Sequence, residues 1–269
     1  MKEYFIVFMG EIKKQFRNYQ SSITHVFSLL IWPVLVYFTT LYTYHSFDVS
    51  LLNRFGILNT NDLRIFLVTG SLGYSCFWAM LESSLYLGKE RENGTLEIVF
   101  MTPANKLCVL YGRALGGILQ STVLFIAFTI YIIVSNVDNP VKFLGLILLA
   151  LVILFITSLI WGAFISSLFL LSRDLDIIFT ICDEPMSLFS GVKAPVSGFP
   201  TCFQSISAFF PLTHCLIIIR SIFNQNQLDI KITDVFIFCS ILLILIISTY
   251  IILKISIIQN RKTGNLQLY

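Results

Sequence analysis

Charge is scarce in this 269-residue sequence. Asp, Glu, Lys and Arg make up 12% of it, against about 25% in soluble domains. So little charge cannot coat a water-facing surface, which excludes a soluble globular enzyme. Disorder is excluded as well, because disordered chains are rich in charge and poor in apolar residues, whereas 56% of this chain is hydrophobic, with 25 Phe. Histidine is nearly missing: His25, His45 and His214 are dispersed and indicate no metal site. Six cysteines include no Cys-x-x-Cys pair. They read as small apolar packing residues rather than a metal or disulfide framework. A net charge of +3 is too small an excess to argue for nucleic acid. No paired acid and base and no Ser/His/Asp constellation stands out, so no catalytic residue is assigned. A cleaved signal peptide is not expected, since Lys2, Glu3, Glu11, Lys13, Lys14 and Arg17 interrupt the first apolar residues and no small-residue cleavage site follows.

What the sequence does have is long apolar runs. A transmembrane helix needs about 20 apolar residues, and runs at about 21–44, 65–87, 110–135, 143–171, 177–192 and 235–253 are candidates. The expectation is an all-α membrane protein with six transmembrane helices in one domain, 21–269. Residues 1–20 precede it as an amphipathic interface helix. There Phe5, Phe8, Ile12, Phe16 and Tyr19 recur at steps of three and four, with Lys2, Lys13, Lys14 and Arg17 mostly off that stripe. Such a helix lies in the headgroup region against anionic lipid.

A polar stretch at 48–62 follows the first run, a turn at 136–140 separates the third and fourth, and 172–176 closes the fourth. Residues 193–230 are broken by Pro195, Gly198, Pro200 and Pro211 yet hold two largely apolar pieces, 203–210 and 212–223. Two re-entrant or interfacial helices fit this pattern, because irregular backbone at membrane depth survives only under protein or water cover. With six spans, 12 of the 18 Lys and Arg fall on the side of the termini. Both termini and the 88–106 loop are therefore expected to be cytoplasmic.

That loop contains Glu90, Arg91, Glu92, Gly94, Thr95, Leu96, Glu97, Val99, Phe100, Thr102 and Pro103. Thr95 is placed to cap a short helix whose Leu96, Val99 and Phe100 form an apolar edge. Thr102 is placed to cap the next helix, with Pro103 at its first position. A greasy edge in water either docks into a groove on a cytoplasmic partner or packs on its own bundle.

The run Glu90-Arg91-Glu92-x-Gly94-Thr95-Leu96-Glu97, followed by Thr102-Pro103, resembles the coupling-helix signature of ABC-2 type transporter permeases. Ser190-Gly191-Val192-x-x-Pro195 with Phe199-Pro200 is similar to the same family's stretch after its fifth helix. Pro211-Leu212-Thr213-His214 with Arg220 resembles its re-entrant segment. The resemblance implies a transmembrane subunit, not itself an enzyme, in a bacterial plasma membrane. It implies two cytoplasmic ATPase subunits that bind the ATP and Mg, a second permease chain, and export of a drug, peptide, lipid or polysaccharide. In agreement, no GxxxxGK[ST] phosphate loop occurs. It also implies that the eleven loop residues named above lie in or beside the coupling helix.

Asp183 and Glu184 fall inside the fifth run, where ionisable groups are costly unless a partner, cavity or water receives them. They either line the export path, with Phe189, His214 and Arg220, or pair within the protein. Pro185 is expected to break the helix beside them. Glu82 and Arg113, near the ends of neighbouring spans, are candidates for an ion pair. An ATP-independent channel or secondary transporter, and a lipid-modifying membrane enzyme using Asp183, Glu184 and His214, are the alternative functions.

Overall fold

The computed structural model describes residues 2–20, 23–45, 54, 57, 60–135, 140–172, 174–223 and 232–263. Most of the expected polar stretch, the turn at 136–139, Arg173, Lys231 and the end of the tail lie outside them, as do the side chains of Phe16, Tyr19, His25 and Glu92. Among the described residues all regular structure is helical. The helices are α1 (Lys2–Gln20), α2 (Ile23–His45), α3 (Thr60–Glu92), α4 (Thr95–Met101), α5 (Lys106–Ser135), α6 (Pro140–Leu171), α7 (Leu175–Phe189), α8 (Thr201–Phe209), α9 (Pro211–Phe223) and α10 (Ile232–Thr263). Pro140 and Pro211 each open a helix, where the missing N–H goes unused.

The bundle is organised around α3, against which α2, α5, α6, α7 and α9 pack. The apolar window of α3 is 83% buried, that of α6 39% and that of α10 17%. Thus α3 is the axis, and α10 is perimeter, its Phe236, Ile244 and Ile247 exposed. The approach of α5 and α6 to α3 depends on small residues. A Cβ at Gly117 would stand 3.0 Å from Met80, and one at Gly162 would stand 2.9 Å from it. Beside them the hydroxyls of Ser84 and Ser166 are 2.9 Å apart. Small and hydroxylated residues at such contacts are how membrane helices come close without a hydrophobic force between them.

Among the described residues three helices are long and apolar enough to cross a membrane: Asp62–Arg91, Leu144–Leu171 and Ile232–Gln259. The α8–α9 pair adds a fourth if its two arms count as one span, but they meet at 94°. The chain is therefore multi-pass. The α8–α9 corner at Phe210 lies against Trp161 (6.3 Å), which in turn lies against Phe77, halfway along α3. From there α9 runs back along α3, from Gly73 at Leu212 and Leu216 to Phe66 at Arg220.

One expectation about local structure is corrected and one contact is added. First, α7 is not broken at Glu184: it runs through Pro185 to Phe189. The proline removes one donor, but the last turn beyond it is held where Phe189 stacks on Phe203 at 5.0 Å. Second, α1 also packs on α5, a contact that the amphipathic pattern did not indicate. Phe8 and Glu11 face Gly112 of α5, and Gln15 faces Gly116, whereas Tyr4, Phe5, Ile6 and Met9 are exposed. A Cβ at Gly116 would be 2.5 Å from that of Gln15, so only glycine admits this approach.

Candidate functional site

The segment from Glu90 to Lys106 forms a short helix slung between two long ones. α3 ends at Glu92 and the chain turns at Gly94, whose φ of +68° is a left-handed value that a side chain would strain. The Gly94 N–H donates to the Arg91 carbonyl at 3.0 Å and that of Asn93 to the Lys89 carbonyl at 3.0 Å, closing the end of α3. Thr95 does not cap α4 as expected. Gly94 holds the cap position, and the Thr95 hydroxyl donates back to the Glu90 carbonyl at 3.1 Å. Thr102 ends α4 rather than starting a helix, its hydroxyl donating to the Val99 carbonyl at 2.7 Å. With Pro103 it sits in the irregular link before α5, where the Asn105 side chain accepts the Leu107 N–H at 3.0 Å. Lys106 Nζ donates to the carbonyls of Val99 (3.1 Å) and Thr102 (2.6 Å), placing a cation at the negative end of α4.

The apolar edge of α4 faces its own bundle rather than outward. Leu96 is fully buried in the bundle core and Phe100 packs on it, while Val99 is half-buried. The exposed apolar groups are Ile98, at 65%, and Met101, at 76%, with Thr95, Thr102 and Pro103 exposed beside them. Leu96 fastens α4 to its own bundle, and Ile98 and Met101 are what it presents outward.

Behind α4 lies a buried ionic cluster. Arg113 of α5 is fully buried; its Nη2 lies 2.9 Å from Glu11 Oε1 and 2.6 Å from Glu90 Oε2. Lys14 Nζ approaches Glu90 Oε1 at 2.7 Å, and Gln15 Nε2 donates to Glu11 at 3.1 Å. The charges balance across α1, α3 and α5. The expected pairing of Arg113 with Glu82 is thereby replaced. The sequence signal for the real partners is that Glu11 and Gln15, one helical turn apart, interrupt the inner face of α1. The neighbouring Arg91 turns the other way, and its guanidinium donates to the carbonyls of Ser172 (2.7 Å), Phe169 (2.9 Å) and Leu170 (3.1 Å) at the end of α6.

The five expected path residues are not gathered into one lining. Asp183 accepts a 2.9 Å hydrogen bond from the Tyr74 hydroxyl, tying α7 to α3, and Glu184 is exposed. Phe189 stacks within the α7–α8 aromatic cluster. His214 Nε2 is 3.0 Å from the Ala208 carbonyl, across the α8–α9 corner. Arg220 covers the Phe66 ring at 3.6 Å and donates to the Phe66 carbonyl at 3.0 Å. Among the described residues no group of three or more His, Cys, Asp or Glu could hold a metal.

The ABC-2 type transporter family profile matches residues 2–224, most of the chain. A protein of Escherichia coli (strain K12) named "Probable multidrug ABC transporter permease YbhR" is 28% identical over 155 residues, which are 56% of this chain and 41% of that protein. The protein of the same name from Escherichia coli O157:H7 matches to the same extent. The match thus spans less than half the length of those relatives. With the family profile covering α1 to α9, including the α3–α4–α5 link and the α8–α9 corner, the chain belongs to the ABC-2 type transporter family.

Proposed function

We propose that this chain is the six-span membrane subunit of an ATP-driven exporter and that α4 is where a cytoplasmic ATPase subunit pushes on it. The observation that carries this is the paired exposure of Ile98 and Met101 on a seven-residue helix fixed at both ends. Gly94 and the Thr95 hydroxyl hold one end, Lys106 the other, and Leu96 nails the inner face to the core. A helix held this way passes a displacement to α3 and α5 instead of absorbing it. The outward apolar pair, flanked by Glu97, suits a groove on a partner. ATP and Mg belong to that partner, present in two copies beside a second permease chain, with both termini on the cytoplasmic side of a plasma membrane.

The α8–α9 corner acts as a re-entrant element, supported by its 94° bend and its depth against Trp161 and Phe77. The substrate is an amphipathic compound, in keeping with the multidrug name of the relatives. Asp183 and Glu184 are the acidic groups nearest such a path. The test is co-purification from membranes with a subunit carrying GxxxxGK[ST], followed by ATPase stimulation across drugs, peptides and lipids. Transport by the purified chain without that subunit overturns the proposal.

A further inference from the structure

Two consecutive residues at the end of α3 bind opposite sides of the bundle. Glu90 reaches Arg113 on α5 and Lys14 on α1. Arg91 reaches three carbonyls at the end of α6, next to the short link into α7. The last carbonyls of a helix have no partner within it. Here Arg91 supplies donors to them, and the Ser256 hydroxyl of α10 adds one to Leu170 at 3.1 Å. Side chains at adjacent positions of a helix diverge by about 100°, so one stiff segment carries two separate fasteners. Leu175, the first residue of α7, also closes on Gly88, one turn before Arg91, so tightly that a Cβ there would collide with it.

We infer that Glu90 and Arg91 form a two-way joint: Glu90, through Arg113, carries movement of α4 into α1 and α5, while Arg91 carries it into the α6–α7 junction. Arg113 and Arg91 are positioning residues for these two separate transmission routes. The inference rests on the reading of α4 as the ATPase contact.

Its consequence is a double dissociation that general destabilisation does not produce. Cysteine variants at Lys13 on α1 and Ile177 on α7, both exposed, report the two routes. They are labelled with bimane after the exposed Cys202 and Cys239 are replaced by serine. The measurement is the change in bimane fluorescence when the full complex, chain plus ATPase, is trapped with ATP and vanadate. In the unmodified background both sites respond. Arg91→Met is expected to cut the Ile177 response at least fivefold and leave the Lys13 response within twofold; Arg113→Met is expected to do the reverse.

If Arg91→Met does not assemble, Arg91→Lys serves, since one ammonium nitrogen cannot occupy the positions of both terminal nitrogens of the guanidinium. It should at least halve the response at Ile177 alone. Equal responses in all variants, equal losses at both sites, or no response at Ile177 in the unmodified background overturns the joint. Failure of Ile98→Asp to weaken ATPase binding overturns the underlying reading instead.

Discussion

Arg113 serves Glu90 and Glu11 through a single nitrogen: Nη2 stands 2.6 Å from one carboxylate and 2.9 Å from the other, while Nε and Nη1 have no hydrogen-bond partner among the described residues. The charge matters here more than the planar fork. Removing it leaves two buried carboxylates sharing Lys14 as their remaining cation, and breaking a buried ion pair in this way typically costs roughly 3–5 kcal/mol. Arg113→Met is therefore expected to lower thermal stability in detergent sharply. Arg113→Lys, which keeps a cation on the same side of α5, should retain most of it. Thermal unfolding of the purified complex checks the order, and a Met variant as stable as Lys contradicts it.

The opposite preference is expected at Arg91. Its two terminal nitrogens reach three carbonyls, a geometry the guanidinium supplies and an ammonium does not. Arg91→Lys should cost more stability than Arg113→Lys, measured in the same way.

At Gly94 the φ of +68° sets the angle between α3 and α4, and a Cβ added there would meet nothing within 4 Å. The penalty of Gly94→Val is conformational, of order 1–2 kcal/mol, and local. The expected result is a folded bundle whose ATPase stimulation falls several-fold. Unchanged stimulation would show that the turn angle is immaterial.

Gly116→Leu addresses the α1–α5 contact. With Gln15 already at the limit of approach, the larger side chain should lift α1, free Lys14 from Glu90 and leave the backbone around the basic residues open to protease. Faster tryptic cleavage at Lys13, Lys14 or Arg17 in sealed inside-out vesicles is expected; an unchanged cleavage rate would contradict the packing described.

At Tyr74, loss of the hydroxyl leaves Asp183 without its donor, at a cost of about 1–3 kcal/mol. If Asp183 also lines the path, Asp183→Asn, which keeps an acceptor for Tyr74, should preserve stability but lower drug-stimulated ATPase. Equal stimulation would leave Asp183 a structural group only.

Much of this fold was legible in the sequence because it rests on uninterrupted apolar length. The expected run at 143–171 lies within Pro140–Leu171, and the broken stretch at 193–230 contains two short helices meeting at a corner. Gly94 stood out as part of a motif, but its left-handed turn was not read from it. The ionic cluster was not, because Glu11 and Arg113 are 102 residues apart and only the packing of α1 on two glycines brings them together. Nor could the outward face of α4 be read. Leu96, Val99 and Phe100 share one side of the helix, and tertiary docking turned that side to the core and left Ile98 and Met101, on the other side, in the open. Pro185 misled because a proline need not end a helix whose following turn is packed in place, here by Phe189 on Phe203.

The most direct test of the central claim is the amount of ATPase subunit retained by the chain on purification from membranes, with and without Ile98→Asp and Met101→Asp. The unmodified chain should retain it. The double variant, which puts two charges where an apolar groove must close, should lose at least tenfold while keeping its own thermal stability. Full retention by the double variant would contradict the account.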